Sequence, residues 1–302
     1  MNRNRIGFFA LFLLLGSLLS ATDPEFPLLQ SLASFPFVDS PSSSRQGWDF
    51  GLRLSYANVF SRTYGDESIG DFEVASLTLT GRKALTSRLD AELSWRLYAI
   101  GGGVLDHAIE EFHRQLGFPT AGRELYPRNR VHYRYRDRFD YREGERGAAA
   151  PVLSLAYLLI DRPGWTLTGR VGGGLPWSSK AGFSSSRGFV LAGLAGEFHS
   201  GNWRLELSGH GAWFTAPTWL EASELKPRMF LIDSRVTYRR LAVGLAVRTS
   251  PFIQGDLAST GYLATIGLRL GKRLEAGLIE DLTPYDTTPD FGLYLKWWPA
   301  SR

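Results

Sequence analysis

The sequence predicts an all-β protein, a transmembrane antiparallel β-barrel of about 12 strands, and three observations carry that prediction. Apolar residues recur at every second position in a dozen separate stretches. Short and long connections between those stretches alternate. The N-terminus reads as an export leader, and no later stretch could cross a bilayer as a helix.

In "MNRNRIGFFALFLLLGSLLSATD", Arg3 and Arg5 precede an apolar run from Phe8 to Leu19, followed by Ser20, Ala21 and the polar Thr22 and Asp23. That run is too short for a hydrocarbon core of roughly 30 Å, so residues 1–21 are expected to be a signal peptide cleaved after Ser20 or Ala21. Residues 22–47 are rich in Pro and Ser and have no sustained period. They read as an N-terminal coil, periplasmic or, given Phe26, Leu28, Leu29, Phe35 and Phe37, tucked into the lumen.

The barrel is expected over 48–298. Trp48, Phe50, Leu52, Leu54 and Tyr56 alternate with Asp49, Gly51, Arg53 and Ser55, and Leu89, Ala91, Leu93, Trp95 and Leu97 with Asp90, Glu92, Ser94 and Arg96. The predicted strands are 48–60, 71–84, 89–100, 150–160, 164–174, 187–199, 202–214, 229–239, 240–249, 259–270, 273–281 and 290–298. "LTSR", "DRPG", "HSGN", "RR" and "GKR" join alternate pairs, and segments of about ten residues or more, with 101–149 the longest, join the others. Outer-membrane barrels have short periplasmic turns and longer outer loops, whereas a sandwich has no reason for such strict alternation. Trp48, Trp165, Trp203, Trp213 and Trp297 sit near strand ends, where rings suit a membrane interface or ordinary packing. Residues 299–302 form a short tail after the aromatic last strand.

Composition excludes several classes. The chain has no Cys, so it has neither a disulfide framework nor a lipidated N-terminal cysteine. Its formal charge of +4 falls to +2 when the two leader arginines are removed, which gives no reason to expect nucleic acid as a partner.

After the glycines at 101–103 the rhythm changes. Leu105, Ala108, Ile109, Phe112 and Leu116 fall on one side of a helix expected over 104–117 in the second outer loop. The block "GGGVLDHAIEEFHRQLGFPTAGR", in particular Leu105, Asp106, Ile109, Glu110, Phe112, His113, Gly117, Pro119, Gly122 and Arg123, resembles the signature of the domain of unknown function 3187 family. The resemblance implies an exported outer-membrane protein and brings no catalytic residues with it. Phe118 stands where that pattern has Leu.

Asp106, Glu110 and His113 share one flank of this helix. Glu-x-x-His is a spacing that supplies metal ligands, but alone it is incomplete, and hydrogen bonding to charged strand walls explains it as well, so no metal and no cofactor is expected. A loop this long suggests a plug or lid, with a surface-lying helix as the plain alternative. Asp90, Glu92, Arg96, Arg204 and Glu206, together with Arg53, Arg170, Arg235, Arg239, Arg269 and Glu275, are expected to line the lumen. Both signs of charge there suggest an ion-pair network more than simple ion selectivity. Within "NRVHYRYRDRFDYRE", an extended backbone places Arg130, Arg134, Arg136 and Arg138 opposite Val131, Tyr133, Tyr135 and Phe139. The basic face suits lipid headgroup phosphate or an anionic solute, unless the hairpin is merely solvated.

The leading functional reading is a restricted or plugged channel for small polar solutes, anionic ones included. A structural or surface-binding protein whose long loops hold lipopolysaccharide or a partner is the alternative. A lipid hydrolase is a third reading. Ser208 and His210 lie on one face of a strand, but same-strand neighbours point in parallel and no G-x-S-x-G element is present, so no catalytic residue is assigned. Outer-membrane lipid, lipopolysaccharide and the outer-membrane assembly machinery are the expected partners. On the strand faces, Leu93→Arg is expected to cost roughly 2 to 4 kcal/mol near the bilayer midplane, and Glu92→Gln much less.

Overall fold

The computed structural model describes residues 47–62, 68–116, 127–177, 180–183, 187–253, 256–258, 260–271, 273–282 and 291–298. The expected leader, nearly all of the 22–47 coil and the 299–302 tail lie outside the described residues, as do Gly117, Pro119, Gly122 and Arg123 of the signature block.

The first strands are β1 (Trp48–Arg62), β2 (Ser68–Ala84) and β3 (Leu89–Gly101), followed by the helix α1 (Asp106–Leu116). Then come β4 (His132–Tyr135), β5 (Phe139–Tyr141), β6 (Glu145–Ala148), β7 (Val152–Arg162), β8 (Trp165–Gly174), β9 (Phe189–Ser200) and β10 (Trp203–Phe214). The chain closes with β11 (Arg228–Tyr238), β12 (Leu241–Arg248), β13 (Gly261–Leu270), β14 (Leu274–Asp281) and β15 (Phe291–Trp297). Every pairing is antiparallel, and sequential neighbours pair from β7 to β15. β15 returns to β1, and β1–β2, β2–β3 and β3–β7 complete a closed barrel with twelve strand positions in its wall.

The three extra strands all lie inside the segment read from sequence as one long loop. β6 pairs with β3 above β7, so β6 and β7 form one wall position, broken at Ala149, Ala150 and Pro151. Proline donates no ladder hydrogen bond, which accounts for the break; Ala149 N–H still reaches the Arg96 carbonyl at 2.9 Å. β4 takes up the edge of β2 where β3 leaves it: Glu73 pairs with Gly101, and Asp71 with His132. One wall strand is therefore split: β3 ends at Gly101, the chain leaves the wall into α1, and the wall position is resumed by β4 at His132.

The glycines make that exit. A Cβ on Gly102 would collide with the carbonyl of Asn129, where the departing and returning limbs meet. Gly103 has φ +56° and lies against the Glu73 carboxylate, so a side chain there would be both strained and obstructed.

The period of two sorts side chains as the physics of a bilayer requires. On β3, Asp90, Glu92, Ser94, Arg96 and Tyr98 point inward and are buried, while Leu93 on the other face is 48% exposed. Each of the twelve wall positions contributes at least one large exposed apolar residue to the outer face, among them Phe50, Leu79, Val171, Leu207, Ile232 and Ile266. So continuous an apolar belt is not a surface for water. Aromatics edge it at both rims: Trp203 on Tyr238, with ring centroids 4.4 Å apart, near the short turns, and Trp213 on Phe230, 6.2 Å apart, near the long loops.

Candidate functional site

The interior of the barrel has two zones. Near the short turns it is ionic. Glu92 accepts hydrogen bonds from Arg170 at 2.8 Å and from Arg82 at 3.3 Å. Across the lumen, Arg204 donates to Glu197 at 3.0 Å and to Glu206 at 2.7 Å, and Arg235 is ion-paired with Glu275. Glu275 also accepts the Tyr294 hydroxyl at 2.8 Å and has Arg269 at 3.6 Å. Asp90, Glu92, Arg96, Arg204 and Glu206 therefore all face the lumen, and both signs of charge are joined in networks, as the composition of the faces suggested. Arg82 and Glu197 in this zone, and Arg248 at the long-loop end of β12, also take inward positions of their strands but were not singled out by the alternation argument. Arg239 does not line the lumen. It occupies the β11–β12 turn at φ +54°, with its guanidinium 5.4 Å from the Tyr238 ring centre.

Near the long loops the interior is apolar and closed over. The tight turn at Arg136–Arg138 folds β4 and β5 into a hairpin, with Arg138 N–H bonded to the Tyr135 carbonyl at 3.0 Å. Its aromatic face, Tyr133, Tyr135, Phe139 and Tyr141, points inward. Tyr133 is the hub: Phe72 and Phe139 lie 4.8 Å away by ring centroids and Phe183 lies 5.7 Å away, edge-on. The Tyr133 hydroxyl donates to the Gly182 carbonyl at 2.7 Å, and burial pushes its pKa up, so it stays neutral. Tyr135 meets Trp219 and Phe252, and Phe139 meets Trp219. Four separate long-loop segments thus form one aromatic roof, each tilted or edge-on ring pair adding about 0.5 to 1.5 kcal/mol beyond its buried area.

The hairpin tip reaches across the mouth. Arg136 is ion-paired with Glu224, and Arg138 bonds Glu221 at 2.6 Å; both acids flank the short 3-10 turn between β10 and β11. That hydrogen bond raises the Arg138 pKa further above its ordinary value. In the closed ring, β11 lies six wall positions from β2, the strand that carries the hairpin. The two ion pairs therefore act as a latch on the far side.

The helix plays neither of the roles that its loop length suggested. Asp106 accepts from Asn58 Nδ2 at 2.9 Å and from the Asn129 N–H at 2.7 Å, and Leu105 N–H bonds Glu73. Asn58 and Glu73 are register partners on the outward faces of β1 and β2. Asp106 and Glu110 are therefore not lumen or plug residues: α1 packs against the outside of the wall, with Ile109 buried and Glu110 bonded to Arg128 at 3.1 Å. The backbone of His113 lies in the same helix, and its side chain is outside the described set. With Ile109 buried and Asp106 bonded to the outward-facing Asn58, the eleven-residue helix is held without entering the lumen.

The four arginines considered for lipid phosphate or an anionic solute each have a contact within the protein. Besides the latch pairs, Arg130 bonds Asp71 at 2.6 Å and Arg134 donates to the Arg136 carbonyl at 3.1 Å. Among the described residues, no three His, Cys, Asp or Glu side chains assemble as a metal site.

A closed twelve-stranded wall, an apolar outer belt between aromatic rims and a charged interior define an outer-membrane β-barrel. A model of the family described as "Protein of unknown function (DUF3187)" matches residues 22–157, which agrees with the family resemblance of the glycine-helix block. Among solved structures, the COG4313 outer membrane channel from Pseudomonas putida F1 superposes with a TM-score of 0.53 at 17% identity, covering 87% of this chain and 99% of that one. That likeness concerns the fold. The toluene transporter TbuX of Ralstonia pickettii covers 86% of this chain and 90% of its own at 8% identity. The outer membrane phospholipase A of Escherichia coli covers 93% and 99% at 12% identity. Both have TM-scores of 0.39 and decide nothing here. No curated protein matches in sequence.

Proposed function

We propose that this protein is a restricted outer-membrane channel for small polar solutes, anionic ones included, whose outer mouth is closed by the β4–β5 hairpin. The observation that carries the reading is the latched roof over a charged lumen. A barrel that served only as a wall has no need of a hairpin crossing its mouth to an ion pair on the far side. The hairpin, and not the helix, is the closing element. No enzymatic role is proposed, since Ser208 and His210 are next-but-one neighbours on β10 and point in parallel.

Conductance across planar bilayers tests this. The native protein should pass little current, and Glu221→Gln with Glu224→Gln should raise its mean conductance several-fold by releasing both latch arginines. A protein that stays silent in native and latch-free forms would overturn the channel reading. The orientation has its own test. Cysteines introduced singly at Thr218 or Ile253, both exposed on long loops, should react with a membrane-impermeant maleimide on intact cells, while cysteines at Ser87, Gly164 or Gly201 should not. The chain's lack of native Cys makes each one a clean probe. Labelling at the short turns would invert the topology.

The alternative of a surface-binding protein that holds lipopolysaccharide has less support. The arginines that would meet phosphate are already engaged with Glu224, Glu221, Asp71 and a backbone carbonyl.

A further inference from the structure

We propose that the short-turn rim of the barrel is a binding surface for phospholipids of net negative charge, held by the headgroup phosphate as phosphatidylglycerol presents it. The inference rests on the orientation that puts the short turns in the periplasm, where this rim meets the inner leaflet of the outer membrane. It does not rest on the channel reading.

The first observation is the sign of the charge. Lys83, Arg88, Arg162, Arg239, Arg240 and Arg273 are all exposed, at or beside the β2–β3, β7–β8, β11–β12 and β13–β14 turns, and so are spread around the ring. Among the described residues, Asp161 is the one exposed carboxylate at this end, and it stands in register with the inward Thr166 while Arg162 stands with Trp165. None of these cations forms an ion pair with a carboxylate of the described chain. The opposite mouth is mixed, with Asp137, Asp140, Glu143 and Glu221 exposed among its arginines. A ring of one sign repels itself, so an anionic neighbour is stabilising there and a cationic one is not.

The second observation is direction. The Lys83 ammonium lies 5.5 Å from the centre of a Trp48 ring, the Arg239 guanidinium lies over Tyr238, and Arg162 is the register partner of Trp165. Trp48, Tyr238 and Trp165 are exposed on the outer face, the face that carries Phe50, Ile232 and Val171 in the apolar belt. These three cations therefore edge the lipid and not the lumen, with apolar stems along the belt and charges at headgroup depth. A solute bound for the pore would meet the inner face instead, where Arg170, Arg204 and Arg235 are tied to Glu92, Glu197, Glu206 and Glu275. Phosphatidylglycerol brings a net negative charge to that depth, whereas the ammonium of phosphatidylethanolamine cancels its own phosphate. Carboxylates of the cell-wall polymer would reach the turn tips but not the cations set against the belt.

Reconstitution of the purified protein into phosphatidylcholine vesicles with trace spin-labelled lipid reads the inference directly, because lipid held at the protein surface gives a motionally restricted spin-resonance signal. Labelled phosphatidylglycerol should associate about five-fold more strongly than labelled phosphatidylcholine, and phosphatidylethanolamine no more strongly than phosphatidylcholine. The preference should fall toward unity in about 1 M salt, where the Debye length shrinks to about 3 Å. Lys83→Gln with Arg88→Gln, and Arg239→Gln with Arg240→Gln, should each lower it about two-fold. Lys226→Gln with Arg228→Gln, exposed at the opposite rim, should leave it unchanged. Equal association of the two lipids with the native protein, a preference that survives all four turn substitutions, or one lost instead with Lys226 and Arg228, would overturn the assignment. Retention on isolated peptidoglycan that the turn variants abolish, without any lipid preference, would hand the rim to the cell-wall polymer. If the combined variant does not fold, the salt series on the native protein still decides. Labelling of cysteines at Ser87 or Gly201 from outside the cell would place the ring in the outer leaflet and sink the phospholipid as the source of the phosphate. Lipid preference without current would leave this inference standing and count against the channel, and current without lipid preference would do the reverse.

Discussion

Tyr133→Ala should destabilise the folded barrel by about 3 to 5 kcal/mol, the usual cost of removing a large aromatic ring from a packed interior. Its ring contacts Phe72, Phe139 and Phe183, and its hydroxyl holds the Gly182 carbonyl, so the truncation removes the joint between hairpin, wall and the β8–β9 loop. The control is Tyr157→Ala. Tyr157 is 46% exposed on the lipid-facing side of β7, and its loss should cost less than about 1 kcal/mol because lipid fills the space. Urea unfolding from lipid vesicles measures both, and the same Tyr133 variant should raise bilayer conductance by loosening the roof. Equal costs at the two tyrosines would mean that the hairpin is not packed into the mouth.

The second large effect reverses an expectation drawn from strand faces alone. Leu93→Arg still places a charge toward lipid and should cost roughly 2 to 4 kcal/mol near the midplane. Glu92→Gln, expected to be mild because its side chain faces the lumen, should cost about as much or more, since one buried carboxylate holds both Arg170 and Arg82. Removing one member of a buried ion pair typically costs about 3 to 5 kcal/mol, because the charge left behind has no compensation. The unfolding midpoint of Glu92→Gln relative to Leu93→Arg decides it. A lumen wet enough to hydrate Arg170 would return a loss well under 1 kcal/mol.

The contrast between Leu93 and Glu92 shows where sequence reasoning reached and where it stopped. Alternation is a local property: with a period of two, the sign of the hydrophobic face at Leu89 settles the faces of every residue to Gly101, so wall strands and lumen positions such as Asp90 and Arg96 were legible. Connection lengths were equally legible, because each long segment must return the chain to the strand beside it. The dozen predicted strands therefore coincide with the twelve wall positions.

What alternation does not carry is which distant residues meet. The odd-numbered aromatics at 133–141 announced an apolar face in need of cover, but their cover comes from Phe183, Trp219 and Phe252 on three other loops. The arginines on the tip looked free to meet phosphate until the fold brought Glu221 and Glu224 to them, 83 or more residues along the chain. Likewise α1 was legible as an amphipathic helix, while the side of the wall it would rest on depended on Asn58 and Glu73 facing outward above the apolar belt. The sequence by itself determined a twelve-stranded barrel with a charged inner face and an apolar outer one, since each strand must match its solvent residue by residue. The tertiary structure alone decided that a hairpin closes the mouth and that the helix lies outside, because those contacts join segments whose separation along the chain bears no relation to their distance around a closed ring.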